Sequence, residues 1–300
     1  MRNKILCTLT LKCNNDCLNC FIPTQVRKSG KQIEANQLLS VLDGIGIGQD
    51  DVIEISGGEP TIYSNISYLL SKVKHRYPGR LVLVSNAEVC SKKRSAEDIS
   101  LSIDEIITNV YSVKKTIHDT ITQTEGSLKR KLQGLENLSQ LGVDISLKIV
   151  PMLATYKGMS EMVNEVGRRI GKGKRIIIKV LDLNGITKNN QKRLSVKLSE
   201  AAPYLEEAIE TAKPIFSEIE INFPLCLLKL KTQRNYKEEP DKTVLISPNK
   251  GTKIFLRKTP NQMQICIGCL MQEKCRWFRK NYIDLFGENE FCRITEIKQV

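Results

Sequence analysis

The sequence lacks the features of a membrane-spanning or exported protein. No run of eighteen apolar residues occurs among its 300 residues, so we expect no transmembrane helix. The start, MRNKILCTLTLKC, is basic and then apolar, but Lys12 interrupts it and no small-residue cleavage site follows. Internal repeats and a low-complexity tail are also absent. We therefore expect a cytoplasmic protein with one large domain, or one large domain and a small appendage.

The ten cysteines indicate metal binding rather than disulfide bonds. Without a secretory signal the expected compartment is reducing, and clustered cysteines there are more often metal ligands. One group lies near the start of the chain and another in its last quarter, with only Cys90 between them. The positions are Cys7, Cys13, Cys17, Cys20, Cys90, Cys226, Cys266, Cys269, Cys275 and Cys292.

The charge is strongly positive, with 46 Lys and Arg against 33 Asp and Glu, a formal net charge of +13. Residues 225–300 hold 15 basic and 8 acidic side chains, which gives this quarter a charge of +7. Such an excess is typical of proteins with polyanionic or acidic partners. A lysine-rich surface without any such partner has the same composition.

Apolar patterning predicts six strands that alternate with helices over about the first 185 residues. The predicted strands are 4–11, 51–56, 81–85, 104–111, 143–150 and 175–181. Alternation of this kind implies parallel strands, and six units suit a partial barrel better than a closed eight-stranded one. We predict an α/β fold, with a partial (βα)6 barrel in residues 1–190.

After residue 190 the pattern changes. It predicts a helix at 199–212, a strand at 218–223, and a hairpin with strands at 243–247 and 252–258 around the turn PNKG. We therefore predict a small C-terminal α+β domain in residues 191–300, which also carries the second group of cysteines.

Two motifs follow the first two predicted strands. Cys13, Cys17 and Cys20 have C-x3-C-x2-C spacing, and GGEP occupies residues 57–60. Four-iron clusters normally take four thiolates, so three leave one iron with an open coordination site for chemistry. Zinc is the alternative for the cysteines alone. Ligands bind at the carboxyl ends of parallel strands, so we expect both motifs on one face.

Together these motifs resemble the radical S-adenosylmethionine (SAM) superfamily. The resemblance implies that the three cysteines hold a [4Fe–4S] cluster whose fourth iron is chelated by SAM. It also implies that reductive cleavage of SAM yields a 5′-deoxyadenosyl radical, which removes a hydrogen atom from the substrate. Asn19 stands before Cys20, where the family often has an aromatic residue. The cofactor-binding residues that the resemblance implies are Gly57, Gly58, Glu59, Pro60, Ser85, Asn86 and Ser112.

The C-terminal cysteines Cys266, Cys269 and Cys275 have C-x2-C-x5-C spacing, which resembles the SPASM and twitch extensions of that superfamily. The resemblance implies a second [4Fe–4S] cluster. Cys226 is the favoured fourth ligand and Cys292 the competitor. The full seven-cysteine SPASM pattern is absent, since position 279 is Arg. A zinc ribbon is the alternative occupant.

These resemblances favour a radical SAM enzyme that acts on a peptide or protein, with an electron donor such as ferredoxin or flavodoxin. RNA or a small metabolite is the alternative substrate. An iron–sulfur or zinc-stabilised nucleic-acid-binding protein without radical chemistry is a different class, against which GGEP argues. We interpret His118 and Asp119 as a solvated loop pair rather than a substrate contact.

Overall fold

The computed structural model describes residues 3–229, 242–256, 263–272, 275 and 280–295. In these residues nine strands form one sheet in the order β7-β6-β5-β4-β3-β2-β1-β8-β9. The strands are β1 (Asn3–Thr10), β2 (Val52–Gly57), β3 (Arg80–Val84), β4 (Glu105–Asn109), β5 (Asp144–Ile149), β6 (Gly173–Lys179), β7 (Phe216–Asn222), β8 (Lys242–Ser247) and β9 (Gly251–Leu256).

Helices connect most of these strands. They are α1 (Thr24–Lys28), α2 (Ala35–Asp43), α3 (Ile66–Arg76), α4 (Lys93–Ser100), α5 (Lys115–Thr122), α6 (Ser127–Gln140), α7 (Met159–Ile170), α8 (Gly185–Asn189), α9 (Gln191–Leu194), α10 (Leu198–Ala212) and α11 (Lys280–Phe286). No helix within the described residues has the length and apolar character needed to cross a membrane.

The six strands predicted from alternation are confirmed within a few residues as β1 to β6, and all pair in parallel. Each presents alternate apolar side chains to the helices, because successive residues of a strand point to opposite faces. In β5, for example, Ile145, Leu147 and Ile149 are buried in the main core. The intervening residues face the concave side of the sheet, which we call the lumen. The predicted α/β partial barrel is confirmed.

The strands predicted for the C-terminal part extend this same sheet. β7 pairs in parallel with β6, and β8 pairs in parallel with β1 at the opposite end. β9 pairs antiparallel with β8 and completes the predicted hairpin. The predicted second strand of the hairpin includes 257 and 258, which lie outside the described residues. The domain boundary at residue 190 stays a prediction.

Helix α6 packs closely on the chain that follows β3, and a glycine makes this approach possible. A Cβ atom at Gly134 would lie 2.1 Å from the carbonyl oxygen of Ala87. Asn137, one turn later on α6, donates from Nδ2 to the carbonyl oxygen of Cys90 at 2.9 Å. The helix is thereby fixed against the segment that ends β3.

We expect Gly134→Ala to destabilise the protein, although Ala is favoured over Gly by about 1 kcal/mol in a helix. The added methyl group would overlap the backbone of Ala87, and overpacking costs about 1–3 kcal/mol. Urea unfolding measures the loss. Gly44→Ala is the control, since its Cβ would meet Val41 O at 3.6 Å, an ordinary contact. Equal losses in both variants would contradict the packing explanation.

Candidate functional site

The three N-terminal cysteines lie on a loop, residues 11–23, that follows β1 and is anchored to α5. The backbone N–H groups of Asp16 and Leu18 donate to the carbonyl oxygens of Thr122 and Ile121, at 3.1 Å and 2.9 Å. These carbonyls belong to the last turn of α5, where helical partners are missing. The end of α5 therefore holds the middle of the cysteine loop.

A buried polar network anchors the same loop from a second side. Asn15 Nδ2 donates to Glu88 Oε1 at 2.7 Å. Arg130 of α6 donates to the other carboxylate oxygen from Nε at 2.9 Å and pairs with it through Nη2 at 2.7 Å. Glu88 is 3% exposed, so its charge is stabilised by these partners rather than by water.

The thiols of Cys13, Cys17 and Cys20 are partly buried and lie close enough to affect one another's pKa. Burial is the largest influence, and it raises the pKa of Cys13 to about 11 and that of Cys17 to about 12. The N–H of Asn15 donates to Cys13 Sγ at 3.4 Å. Such N–H···S bonds stabilise a thiolate, and metal binding would have to displace the thiol protons.

The turn that follows β2 lies directly against the start of the cysteine loop. Gly58 N donates to Thr10 O at 2.7 Å, and Glu59 N donates to Lys12 O at 2.8 Å. A Cβ at Gly57 would lie 2.2 Å from Thr10 O, and one at Gly58 would lie 2.1 Å from Lys12 O. Only glycines allow this approach, so the sequence GG is required by the contact.

The carboxylate of Glu59 joins β2 to the end of β3. Oε1 accepts hydrogen bonds from Thr61 N (3.0 Å), Thr61 Oγ1 (2.6 Å) and Ser85 Oγ (2.7 Å), and Oε2 accepts one from Asn86 N at 2.7 Å. Glu59 is 1% exposed, and burial raises its pKa while these donors lower it. The protein thus supplies four donors to the carboxylate, a structural role that the sequence did not reveal.

The structure brings some predicted cofactor-binding residues together. Ser85 and Asn86 lie beside the 57–60 turn through Glu59, and Asn86 Nδ2 also donates to Asn14 Oδ1 at 2.8 Å. Pro60 is buried at the start of a short helical turn. Ser112 Oγ accepts from Lys114 N at 3.1 Å, which makes a local turn after β4. Contacts between these residues and a cofactor stay predictions.

The sequence pattern did not identify Lys131, a buried lysine near the cysteines, as a residue of the site. Lys131 of α6 is 2% exposed, and its Nζ donates to Asn109 O at 2.5 Å and lies 5.6 Å from the ring centre of Tyr111. Its charge lowers the pKa of Cys17. The spacing of Lys131 in the sequence could have indicated its burial, because it stands three residues after Leu128 and so lies on the apolar face of α6.

The interpretation of His118 and Asp119 as a solvated pair is wrong. His118 is fully buried, its Nδ1 accepts from Tyr111 N at 3.3 Å, and burial lowers its pKa to about 3. Asp119 accepts from the N–H groups of Gly126 (2.7 Å) and Leu128 (3.1 Å). It therefore supplies partners to the first amides of α6, which otherwise lack them.

The C-terminal cysteines form a second group. Cys226 follows β7 in a short helical turn, and its pKa is raised to about 12 by burial, with smaller contributions from Cys292, Cys275 and Cys266. Cys269 in turn affects the pKa of Cys266. The thiol of Cys292 lies 3.8 Å from Cys226 O. Cys226 thus lies near enough to Cys266 and Cys275 for their charges to affect its pKa, and Cys292 lies next to Cys226.

The three thiols after β1 were tested for their fit to an iron–sulfur cluster. In the part of the chain that the structure describes, no three His, Cys, Asp or Glu side chains are gathered for one metal ion. A cubane places each thiolate on a different iron, which spaces the sulfurs more widely than one ion does. Three neighbouring, partly buried thiols with an N–H···S bond fit such a cluster. Such a cluster, held by three thiolates, would keep one iron open for a further ligand.

A comparison with known families matches the part of the chain that carries both motifs. The family model of the radical SAM superfamily matches residues 7–166, which include the cysteine loop and the 57–60 turn. The chain is similar to Fe-coproporphyrin III synthase of Methanosarcina barkeri, with 19% identity over 144 residues that cover 48% of this chain and 36% of the relative. The PqqA peptide cyclase of Bradyrhizobium diazoefficiens is 24% identical over 151 residues, 49% of this chain and 38% of the cyclase.

A likeness in fold extends further along the chain. The crystal structure of Streptococcus suis SuiB bound to its precursor peptide SuiA superposes with a TM-score of 0.67 at 13% identity, covering 99% of this chain and 76% of SuiB. The matched segment spans little more than a third of the two curated relatives, at 36% and 38% of their lengths.

The family is defined by a [4Fe–4S] cluster and SAM, and the donor set after β1 fits this cluster. The family model covers more than half of the chain and includes both motifs. The chain belongs to the radical SAM superfamily.

Proposed function

We propose that the protein is a radical SAM enzyme that removes a hydrogen atom from a peptide or protein substrate. Three thiols gathered on one loop, against the glycine turn at the carboxyl ends of β1 and β2, carry the enzymatic part of this proposal. The peptide substrate is supported by two relatives, a PqqA peptide cyclase and SuiB, which was crystallised with a precursor peptide. The expected compartment is the cytoplasm.

Each part of the site has a separate task. When bound, the cluster and SAM supply a one-electron cleavage that produces a 5′-deoxyadenosyl radical. Cys13, Cys17 and Cys20 would hold the irons, and the backbone of the 57–60 turn would receive the amino group of SAM. Glu59 keeps that turn against β3 through its four hydrogen bonds. Lys131 places a positive charge near the thiolate of Cys17.

The C-terminal cysteines are proposed to hold a second [4Fe–4S] cluster. Cys226, Cys266, Cys269 and Cys275 would supply four thiolates, which closes a cluster against substrate coordination. Such a cluster would relay an electron or position the substrate. A ferredoxin or flavodoxin would reduce the first cluster.

A small metabolite is the second candidate substrate, favoured by the similarity to Fe-coproporphyrin III synthase. RNA is supported only by the positive charge of residues 225–300. A nucleic-acid-binding role without catalysis leaves the arrangement of the 57–60 turn unexplained.

The substrate class can be identified from the molecules that donate a hydrogen atom to the 5′-deoxyadenosyl group. With SAM and a strong reductant under anaerobic conditions, the protein should form 5′-deoxyadenosine, and Cys17→Ala should abolish it. When deuterated cell fractions are added, deuterium should enter 5′-deoxyadenosine from the peptide fraction. Mass spectrometry measures the label. Label only from the RNA or metabolite fraction would overturn the peptide substrate, and no cleavage would overturn the enzymatic proposal.

Glu59→Ala should reduce stability as well as cofactor binding. The change leaves the donors of Thr61, Ser85 and Asn86 without their acceptor, and each unsatisfied buried group costs about 1–3 kcal/mol. We expect a loss of about 3 kcal/mol or more in the free energy of unfolding, measured by urea titration. Glu97→Ala, at an exposed position of α4, is the control. A stable variant that loses only SAM affinity would show that Glu59 acts on the cofactor alone.

Iron content tests the auxiliary site. Anaerobic reconstitution should give about eight irons per chain, and alanine at Cys13, Cys17 and Cys20 together should remove about half. Cys226→Ser should remove the other half, because this thiol is the more buried of the two candidates. Cys292→Ser should leave both clusters nearly intact. The reverse result would make Cys292 the ligand, and zinc in the second site would overturn the second cluster.

A further inference from the structure

The lumen of the barrel contains a lysine, Lys148, whose surroundings differ from those of the other lumen cations. Lys148 is the fifth residue of β5, and its neighbours Leu147 and Ile149 are buried in the core between sheet and helices. Strand alternation therefore places Lys148 on the opposite face, in the lumen. It pairs in register with Asn109, the last residue of β4, and with Ile177. It thus lies towards the carboxyl ends of the strands, as the cysteine loop does.

The charged groups that influence Lys148 come from strands all around the lumen. They are Glu54 of β2, Lys179 of β6, Lys4 of β1 and Glu220 of β7. Charged groups on both sides of β5 thus act on Lys148, in agreement with its place on the lumen face. Burial is the largest influence on Lys148 and lowers its pKa.

The other lumen cations already have partners. Lys4 pairs with Glu54 at 2.7 Å, and Lys179 pairs with Glu220 at 3.3 Å. Deeper in the network, Arg175 Nη2 binds Glu105 at 2.5 Å. The two carboxylates that influence Lys148, those of Glu54 and Glu220, are therefore already paired with other cations.

The side chain of Lys148 has no ion pair or hydrogen bond with any residue that the structure describes, in contrast to Lys4 and Lys179. An ammonium group that is partly withdrawn from water and lacks a counter-charge is costly. The lumen around it therefore carries one uncompensated positive charge, at the end of the barrel where ligands bind in parallel α/β folds.

We propose that Lys148 binds a carboxylate of the substrate in the lumen, so that the enzyme selects a peptide segment with an acidic side chain or a free C-terminus. This inference rests on the proposed function, because it takes the lumen as the place of the substrate. A carboxylate supplies the missing counter-charge and forms a charge-assisted hydrogen bond with the ammonium group. An apolar cluster of Val82, Ile107 and Ile177 packs beside it on the same face.

The test uses small probes and the reconstituted protein, without SAM cleavage. N-acetylglutamate α-amide represents an acidic side chain, N-acetylalanine represents a free C-terminus, and N-acetylglutamine amide is the neutral match. Calorimetry should show binding of at least one acid and none of the neutral probe. Lys148→Met should weaken this binding at least tenfold, and Lys148→Arg should retain most of it. Lys93→Met, an exposed position of α4, is the matched control.

The outcomes separate this inference from the proposed function. The acid that binds identifies the source of the carboxylate. Equal affinity in wild type and Lys148→Met, equal binding of the neutral probe, or no binding of either acid would overturn the carboxylate site. Binding of inorganic phosphate alone would overturn it too. Formation of 5′-deoxyadenosine is measured in a separate assay. If the wild-type protein forms none, the proposed function is contradicted, whereas the carboxylate site is not.

Discussion

The hydrogen bonds from Gly58 N to Thr10 O and from Glu59 N to Lys12 O join the turn after β2 to the chain that leaves β1. The cysteine loop has little regular structure of its own, so its position depends on such contacts. A side chain at either glycine would push the two segments apart. The geometry of the three thiols is therefore set by backbone contact, and the anchors at α5 and Glu88 complete it from the other sides.

The buried charged side chains around this site are of two kinds, those with partners in the protein and one without. Glu59, Glu88 and Lys131 are each nearly inaccessible to water, and each makes hydrogen bonds or ion pairs with named partners. Their role is to hold elements together, since a satisfied buried network makes a site rigid. Lys148 differs, because its charged neighbours are occupied by other cations. That contrast is why it is assigned to a ligand and the others to the scaffold.

Local pattern was enough to predict β1 to β6 and the two motifs, because period-two alternation and cysteine spacing are visible in short segments. The position of β8 beside β1 was not predictable in this way, since strands more than 230 residues apart meet only in the folded chain. Lys131 and His118 were missed for a related reason. Polar residues on an apolar helix face acquire partners from other elements, here Asn109 and Tyr111, that the sequence does not identify.

The two cysteine-loop and glycine-turn motifs and part of the charge around Lys148 come from different parts of the chain. The cysteine loop and the 57–60 turn follow β1 and β2, within the residues 7–166 that match the superfamily. Of the charged groups around Lys148, Lys179 and Glu220 come from β6 and β7, beyond that match. Because β6 and β7 do not carry the cysteine loop, a substitution at Lys179 or Glu220 can alter the lumen charge without replacing any residue of that loop. Under the proposed function, the same barrel would keep its radical chemistry while the lumen was adapted to a different substrate, which is consistent with relatives named for a peptide and for a porphyrin product.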